Sequence, residues 1–251
     1  MFVKDILSYI DSLAPFETAA PWDNTGLILG DREAEVTTAL VCLDVTEAEI
    51  ILARMCEAQL IISHHPVIFK AQKNFLKEDI AYKAVRSGLS VISAHTNLDK
   101  AVGGVNDALC DALALDYKKI EAPVAEGFLN VADLGANRDV SEFAGYLKMK
   151  LKGNVSYCKG KGAISKIGIV SGSGADFIPD AIALGCDGFV TGDASYHDFL
   201  DAESKGVALF AAGHFETENI ICEALAKKLR SKFTDTVFLT SNRESPVFTV
   251  I

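Results

Sequence analysis

Apolar positions along this chain fall into two rhythms. Ile6, Ile10 and Leu13 recur at helical spacing with polar residues between them. Pro15 and Pro21 end that pattern ahead of a loop around Trp22-Asp23-Asn24-Thr25-Gly26. Beyond Leu27-Ile28-Leu29-Gly30 the pattern changes to short, mostly apolar runs: Thr38 to Leu43, Leu60-Ile61-Ile62 and Leu89 to Ile92. Runs of this length without alternation suit strands covered on both faces. Between them lie segments that read as helices: Thr46 to Ala58, with Thr46 as N-cap and acidic residues in the first turn, Asp79 to Ser87, and Val105 to Leu113. Short buried strands alternating with helices predict an α/β fold with a largely parallel sheet.

From about Ala125 the series restarts. A strand is expected at Gly127 to Val131, a helix at Val140 to Leu151, and a Gly- and Lys-rich turn at Lys159 to Gly162. Then follow a strand at Ile167-Gly168-Ile169-Val170, a helix at Pro179 to Leu184, and strands at Gly188 to Val190 and Val207 to Phe210. The order predicts two pseudo-repeated α/β domains: residues 1–125 with 237–251 in the first, and 126–236 as the second. The best sign of duplication lies at the last strand of each half. There Ser93-Ala94-His95-Thr96-Asn97-Leu98-Asp99 aligns with Ala212-Gly213-His214-Phe215-Glu216-Thr217-Glu218, each with a histidine, three residues and a carboxylate.

Composition narrows the classes. With 49% hydrophobic and 23% charged residues in 251, the chain is globular and large enough for a sizeable core. Its 34 acidic against 24 basic residues give a net charge of −10, the wrong sign for a nucleic-acid partner. The six cysteines lack any C-x-x-C pair and stand mostly in apolar segments, which predicts buried free thiols in a reducing, cytoplasmic setting. No apolar run approaches the roughly 18 residues of a membrane span. The N-terminal helix carries Asp5 and Asp11, so neither membrane nor export is indicated.

Ligands of open α/β sheets gather beyond the carboxyl ends of the strands, and all five histidines stand there. His64 and His65 follow Leu60 to Ile62, His95 follows Val91-Ile92, His197 lies beyond Val190-Thr191-Gly192-Asp193, and His214 follows Leu209-Phe210. One such histidine is ordinary. Five, with Asp99 and Glu218, form a metal-ligand inventory in which imidazole supplies nitrogen and carboxylates supply charge. The neighbours His64 and His65 are expected to diverge toward separate ions, and His214 and Glu218, four apart, to share a helix face. These residues predict a two-metal site held by His64, His65, Asp99, His214 and Glu218, with Glu218 bridging the ions. His95 and His197 would be supporting or proton-transfer groups.

Two divalent ions less two carboxylates leave a positive centre. Such a centre favours an anionic small-molecule substrate, a nucleotide among the candidates, and hydrolysis by acidified water. Zinc ranks first, with manganese, iron and cobalt as alternatives. A non-catalytic metal-binding scaffold with a protein partner and a general metallophosphoesterase are the rival expectations. Weaker signals are assigned structural roles. Val170-Ser171-Gly172-Ser173-Gly174 lacks the third glycine and the lysine of a phosphate-binding loop and is expected to be a tight turn. Gly103-Gly104, close to Asp99, carries a minor anion-binding expectation. Trp22-Asp23-Asn24 is expected to be a turn whose tryptophan fills a gap.

With these residues in view, the sequence resembles the Nif-three-like family, whose members are also named GTP cyclohydrolase I type 2 homologues. The matching stretches are Trp22-Asp23-Asn24-Thr25-Gly26-Leu27, Ile62-Ser63-His64-His65-Pro66, Ala94-His95-Thr96-Asn97-Leu98-Asp99, Thr191-Gly192-Asp193 with His197, and Gly213-His214-Phe215-Glu216-Thr217-Glu218. They run through nearly the whole chain in order. The resemblance implies two intertwined α/β domains, a dinuclear metal centre in the cleft between them, and a ring-like homohexamer. It places the family's ligands on His64, His65, Asp99, His214 and Glu218, and supplies ring opening of GTP as the named activity.

Overall fold

The apolar runs at 38–43, 60–62 and 89–92 become adjacent parallel strands in the computed structural model, which describes residues 1–241, 243 and 245–249. They are β2 (Thr38–Cys42), β3 (Leu60–Ser63) and β4 (Ser90–Ser93); β1 (Gly26–Leu29) pairs antiparallel with β4, and a late strand, Val237–Thr240, pairs parallel with β2. The sheet order is β1-β4-β3-β2 and then the late strand. In register, Leu40 faces Ile61 and Ile61 faces Val91. These three side chains share a core with Ile50 and Ala53 of α2 (Glu47–Met55) and Ala84 of α3 (Ile80–Arg86). The alternate positions Val41, Ile62 and Ile92 are buried as well. Both faces of the strands are thus covered, and each such side chain contributes about 1.5–3 kcal/mol relative to exposure. The N-terminal helix α1 (Val3–Leu13) buries Val3, Ile6, Leu7 and Ile10, the 3.6-residue spacing that defines its apolar stripe. A short helix, α4 (Thr96–Lys100), leaves β4.

The second half builds its own sheet from β5 (Tyr117–Lys119), β6 (Asn130–Asp139), β7 (Ser156–Tyr157), β8 (Ala163–Ile169), β9 (Gly188–Thr191) and β10 (Ala208–Ala211), in the order β5-β6-β8-β9-β10-β7. Strands β8, β9 and β10 are parallel, and the remaining pairings are antiparallel. Adjacent residues enter opposite layers. Val190 and Phe210 join Leu109 of α5 (Val105–Ala112) and Phe143 and Leu147 of α6 (Val140–Leu151). Phe189 and Leu209 join Ile178 and Ala181 of α7 (Ile178–Ala183) and Ala202 of α8 (Tyr196–Ser204). Short helix α9 (His214–Glu218) leaves β10 and is followed by α10 (Ile220–Lys232).

The chain divides into a unit of Met1–Ala101 with Ile221–Arg243, and a unit of Val102–Ile220 with the described residues beyond 244. The sequence reading drew these lines later, at 125 and 237. Helix α5 belongs to the second unit because Leu109, Cys110 and Leu113 pack into the Phe143 core. The strand expected at Gly127 to Val131 begins only at Asn130, since Pro123 opens a tight helical turn at Val124–Gly127. Each unit contains three parallel strands consecutive in sequence, preceded by a strand that pairs antiparallel with the third: β1 with β4, and β7 with β10. All six cysteines are free thiols; Cys42, Cys110, Cys186 and Cys222 are buried, and Cys56 and Cys158 half-buried. No helix among the described residues is long and apolar enough to cross a membrane.

Candidate metal centre

In the first unit, two strand exits deliver one cluster. His64 and His65 follow β3 and His95 follows β4 as the N-cap of α4. The ring centroids of His64 lie 5.0 Å from His65 and 5.1 Å from His95, and His65 and His95 are 5.4 Å apart. Each can turn one ring nitrogen to within 4.8 Å of the others. The rings of His64 and His65 tilt by 43° to one another, the chain having already left the pleat of β3. Asp99, on α4, places Oδ1 3.5 Å from His64 Nε2. His95, expected as a supporting or proton-transfer group, lies in the same histidine group as His64 and His65.

The orientation of each ring is fixed from the other nitrogen. His64 Nδ1 donates to the carbonyl of Ala94 at 2.9 Å, His65 Nδ1 to Asp44 Oδ1 at 2.8 Å and His95 Nδ1 to Asp23 Oδ1 at 2.9 Å. Carbonyl and carboxylate oxygens only accept, so the proton sits on Nδ1 and Nε2 carries the lone pair. That is the arrangement by which outer groups set the tautomer and basicity of metal-binding histidines.

The second unit repeats the device with fewer parts. His214 opens α9 and its Nδ1 donates to Asp193 Oδ2 at 2.6 Å, while its Nε2 lies 3.0 Å from Glu218 Oε2, four residues on. This is the helix-face pairing predicted from the spacing. The turn Ser171 to Gly174 forms the wall beside it. Gly172 has φ +55°, and a Cβ there would lie 2.0 Å from Glu218 Oε1 and 3.4 Å from His214 Nε2. Glycine is therefore required both for the backbone conformation and for room for the carboxylate. The amides of Ser171, Gly172 and Gly174 are already committed, to Asn106 Oδ1, Thr217 Oγ1 and Thr191 Oγ1. The segment is a tight turn stitched into the strand ends, as expected, and not a cradle of open N–H groups. The amide of Gly103 is likewise taken, by Asp107 Oδ2 at 2.7 Å.

Electrostatics in the two clusters follow from their carboxylates. Burial opposes the charged form of Asp23, but hydrogen bonds from His95 and Thr96 and the nearby imidazole lower its pKa from 3.8 to about 2. Burial also opposes charge on His214, and there the hydrogen bonds and charges of Asp193 and Glu218 prevail, raising its pKa from 6.5 to about 10. Asp99 and Glu218 are 8% and 5% exposed. Burying a carboxylate costs several kcal/mol unless cations or donors compensate, so both positions are suited to a bound cation.

The sequence reading missed three residues: Asp23, Asp44 and Asp193, which hold His95, His65 and His214. Asp44 and Asp193 stand at strand exits, where the same rule that found the histidines could have found them. Asp23, taken as a turn former, is a buried anchor that accepts from His95 Nδ1 and from the Thr96 amide and hydroxyl. Trp22 fills no gap; it is 61% exposed. His197 lies exposed on the first turn of α8, edge-on to Tyr196 at 5.7 Å, and joins no metal-binding group among the described residues.

The sequence pattern of the Duf34/NIF3 (NGG1p interacting factor 3) family matches residues 1–246. A GTP cyclohydrolase 1 type 2 homolog of Clostridium perfringens is 32% identical over 262 residues, covering 100% of both chains. A GTP cyclohydrolase 1 type 2 of Helicobacter pylori is 32% identical over 91% of this chain and 92% of its own. Among solved structures, Staphylococcus aureus protein SA1388 superposes with a TM-score of 0.91 at 28% identity, covering 100% of this chain and 99% of that one.

Proposed function

The chain belongs to the Duf34/NIF3 family, and from that premise we propose that its two histidine–carboxylate half-sites together form the dinuclear centre of a metal-dependent hydrolase. The observation that carries this reading is the common anchoring of four histidines by Nδ1 to an oxygen acceptor, so that Nε2 is the nitrogen that would face an ion. The donors fit divalent transition ions, zinc first, with manganese, iron and cobalt as alternatives. His64, His65, Asp99, His214 and Glu218 would hold the ions. Bound ions would supply Lewis acidity and a water of lowered pKa.

The protein's own residues do the rest. Asp44, Asp23 and Asp193 hold the rings in place and raise their basicity. Asp99 and Glu218 offset part of the ions' charge, leaving an excess that attracts an anionic substrate group. His95, braced by Asp23, can take or return a proton at Nε2. The substrate class is a nucleotide-like or phosphorylated small molecule, with ring opening of GTP the specific case suggested by the name of the Helicobacter pylori relative. A homohexameric assembly and a cytoplasmic location complete the reading.

The test is bound metal per chain by elemental analysis, alongside a metal-reconstituted screen of nucleotides and phosphoesters, for wild type, Glu218→Ala and Asp99→Ala. Both variants should lose metal and activity. Unchanged metal stoichiometry in both would overturn the assignment.

A further inference from the structure

Beside the histidine cluster of the first unit lies an aromatic surface that neither the fold nor metal binding explains. Trp22 is 61% exposed and Phe69 is 47% exposed. Their ring centroids are 5.7 Å apart at 60°, and each meets the ring of His95 edge-on at 6.2 Å. Two large aromatic side chains so exposed forgo about half of the stabilisation that full burial would give them.

The two loops that bear the pair are also tied together. Trp22 is followed by Asp23, whose carboxylate is bound by His95 and Thr96. Next, Asn24 Nδ2 donates to the carbonyl of Ile68 at 2.6 Å, tying the Trp22 loop to the residue before Phe69. The loop that bears Phe69 continues with exposed Lys70 and Lys73, two cations in a chain of net charge −10. Ring faces fixed at the edge of a metal-binding histidine cluster, with ammonium groups in the same loop, match a flat heteroaromatic ring carrying an acidic substituent.

We propose that Trp22 and Phe69 form a stacking subsite for the heteroaromatic ring of an anionic, nucleotide-like ligand whose reacting part reaches the histidine cluster. The inference rests on the metal-centre reading for what the bound ligand undergoes. It selects a ring-bearing substrate over a simple phosphoester. Stacking uses the π-face that every nucleobase possesses, and it tolerates different ring substituents.

Trp22 is the single tryptophan of the chain, so its fluorescence reports the subsite directly. The probes are GTP, guanosine and inorganic tripolyphosphate, titrated into the full chain with and without added zinc. GTP and guanosine should quench Trp22 saturably, and tripolyphosphate should not. Phe69→Ala should weaken both ring-bearing probes about tenfold, the loss of roughly one stacking contact. Bound metal should be unchanged in that variant. Failure of both ring compounds to quench, equal quenching by tripolyphosphate, or unaltered affinity in Phe69→Ala would overturn the proposal. So would an emission change that follows protein concentration alone, which would mark contact between copies. The two readings fail separately. Metal retained in Glu218→Ala with guanosine quenching intact removes the metal centre and leaves the subsite; metal lost in Glu218→Ala with no quenching in wild type does the reverse.

Discussion

The segments 95–99 and 214–218 carry the same sequence device, a histidine followed four residues later by a carboxylate, and the structure uses it differently in the two units. In the second unit, Gly213 turns at φ +94° and His214 is the first helical residue, so Glu218 folds back to His214 on the same helix face. In the first, His95 is itself the N-cap at φ −112° and ψ −110°, and the shorter Asp99 meets His64 from another strand. A shift of one residue in where the helix starts converts a local pair into a long-range one. The anchors differ too: the side chain of Asp23 has no exposure and that of Asp193 is 57% exposed. The first cluster is assembled from distant segments and buried deeply; the second is built mostly within one turn of chain around a buried Glu218, with its anchor Asp193 exposed.

The largest effect that tests this contrast is expected at Gly172→Ala. A methyl group there occupies the space of Glu218 Oε1, in a backbone region hostile to side chains. Metal affinity should fall on the order of 10- to 100-fold. Isothermal titration with zinc checks this; affinity equal to wild type would show that the turn does not position Glu218.

Next comes Asp23→Asn, which replaces a buried acceptor of four hydrogen bonds, from the Asn24 and Thr96 amides, the Thr96 hydroxyl and His95, and leaves His95 without its charged partner. Unfolding should be easier by about 1–3 kcal/mol, read from urea denaturation. Asp193→Asn, at an exposed anchor, should cost less than about 1 kcal/mol in the same measurement. Equal costs would erase the distinction between a buried and an exposed anchor.

The smallest effects are in pH dependence of the metal-free protein, and their signs are opposite. His214 binds its proton more tightly when folded, so the stability it lends is fully present below pH 6.5 and lost as pH rises through about 10. Asp23 is more acidic when folded, so its contribution is present above pH 3.8 and lost as pH falls through about 2. Asp193→Asn should move the alkaline loss to lower pH and leave the acid loss in place, as NMR titration of the His214 ring and thermal unfolding against pH would show. An alkaline limb unmoved by that variant would separate His214 from Asp193.

Much of this architecture could be read along the chain. Leu60-Ile61-Ile62 is too short for a helix and too apolar for an exposed strand, and Val140 to Leu151 has helical spacing between clear boundaries; both formed where expected. His214 and Glu218 were legible as a pair because four residues of helix bring them together whatever surrounds them. Trp22 and Asp23 were misread because a turn residue and an anchor look alike in sequence. What distinguishes Asp23 is His95, 72 residues away.

The sequence by itself determined the alternation of strands and helices, the strand exits on which the chemistry sits, and the pairing of His214 with Glu218. Each of these depends on hydrophobic periodicity or on separations of a few residues, and the geometry of such short stretches follows from backbone stereochemistry alone. The tertiary structure decided which oxygen holds each imidazole, that His95 stands among the ligand candidates, and that Trp22 faces water. Those outcomes depend on segments brought together by packing of the sheets, and contacts over such separations are selected by the whole core rather than by any local run of residues.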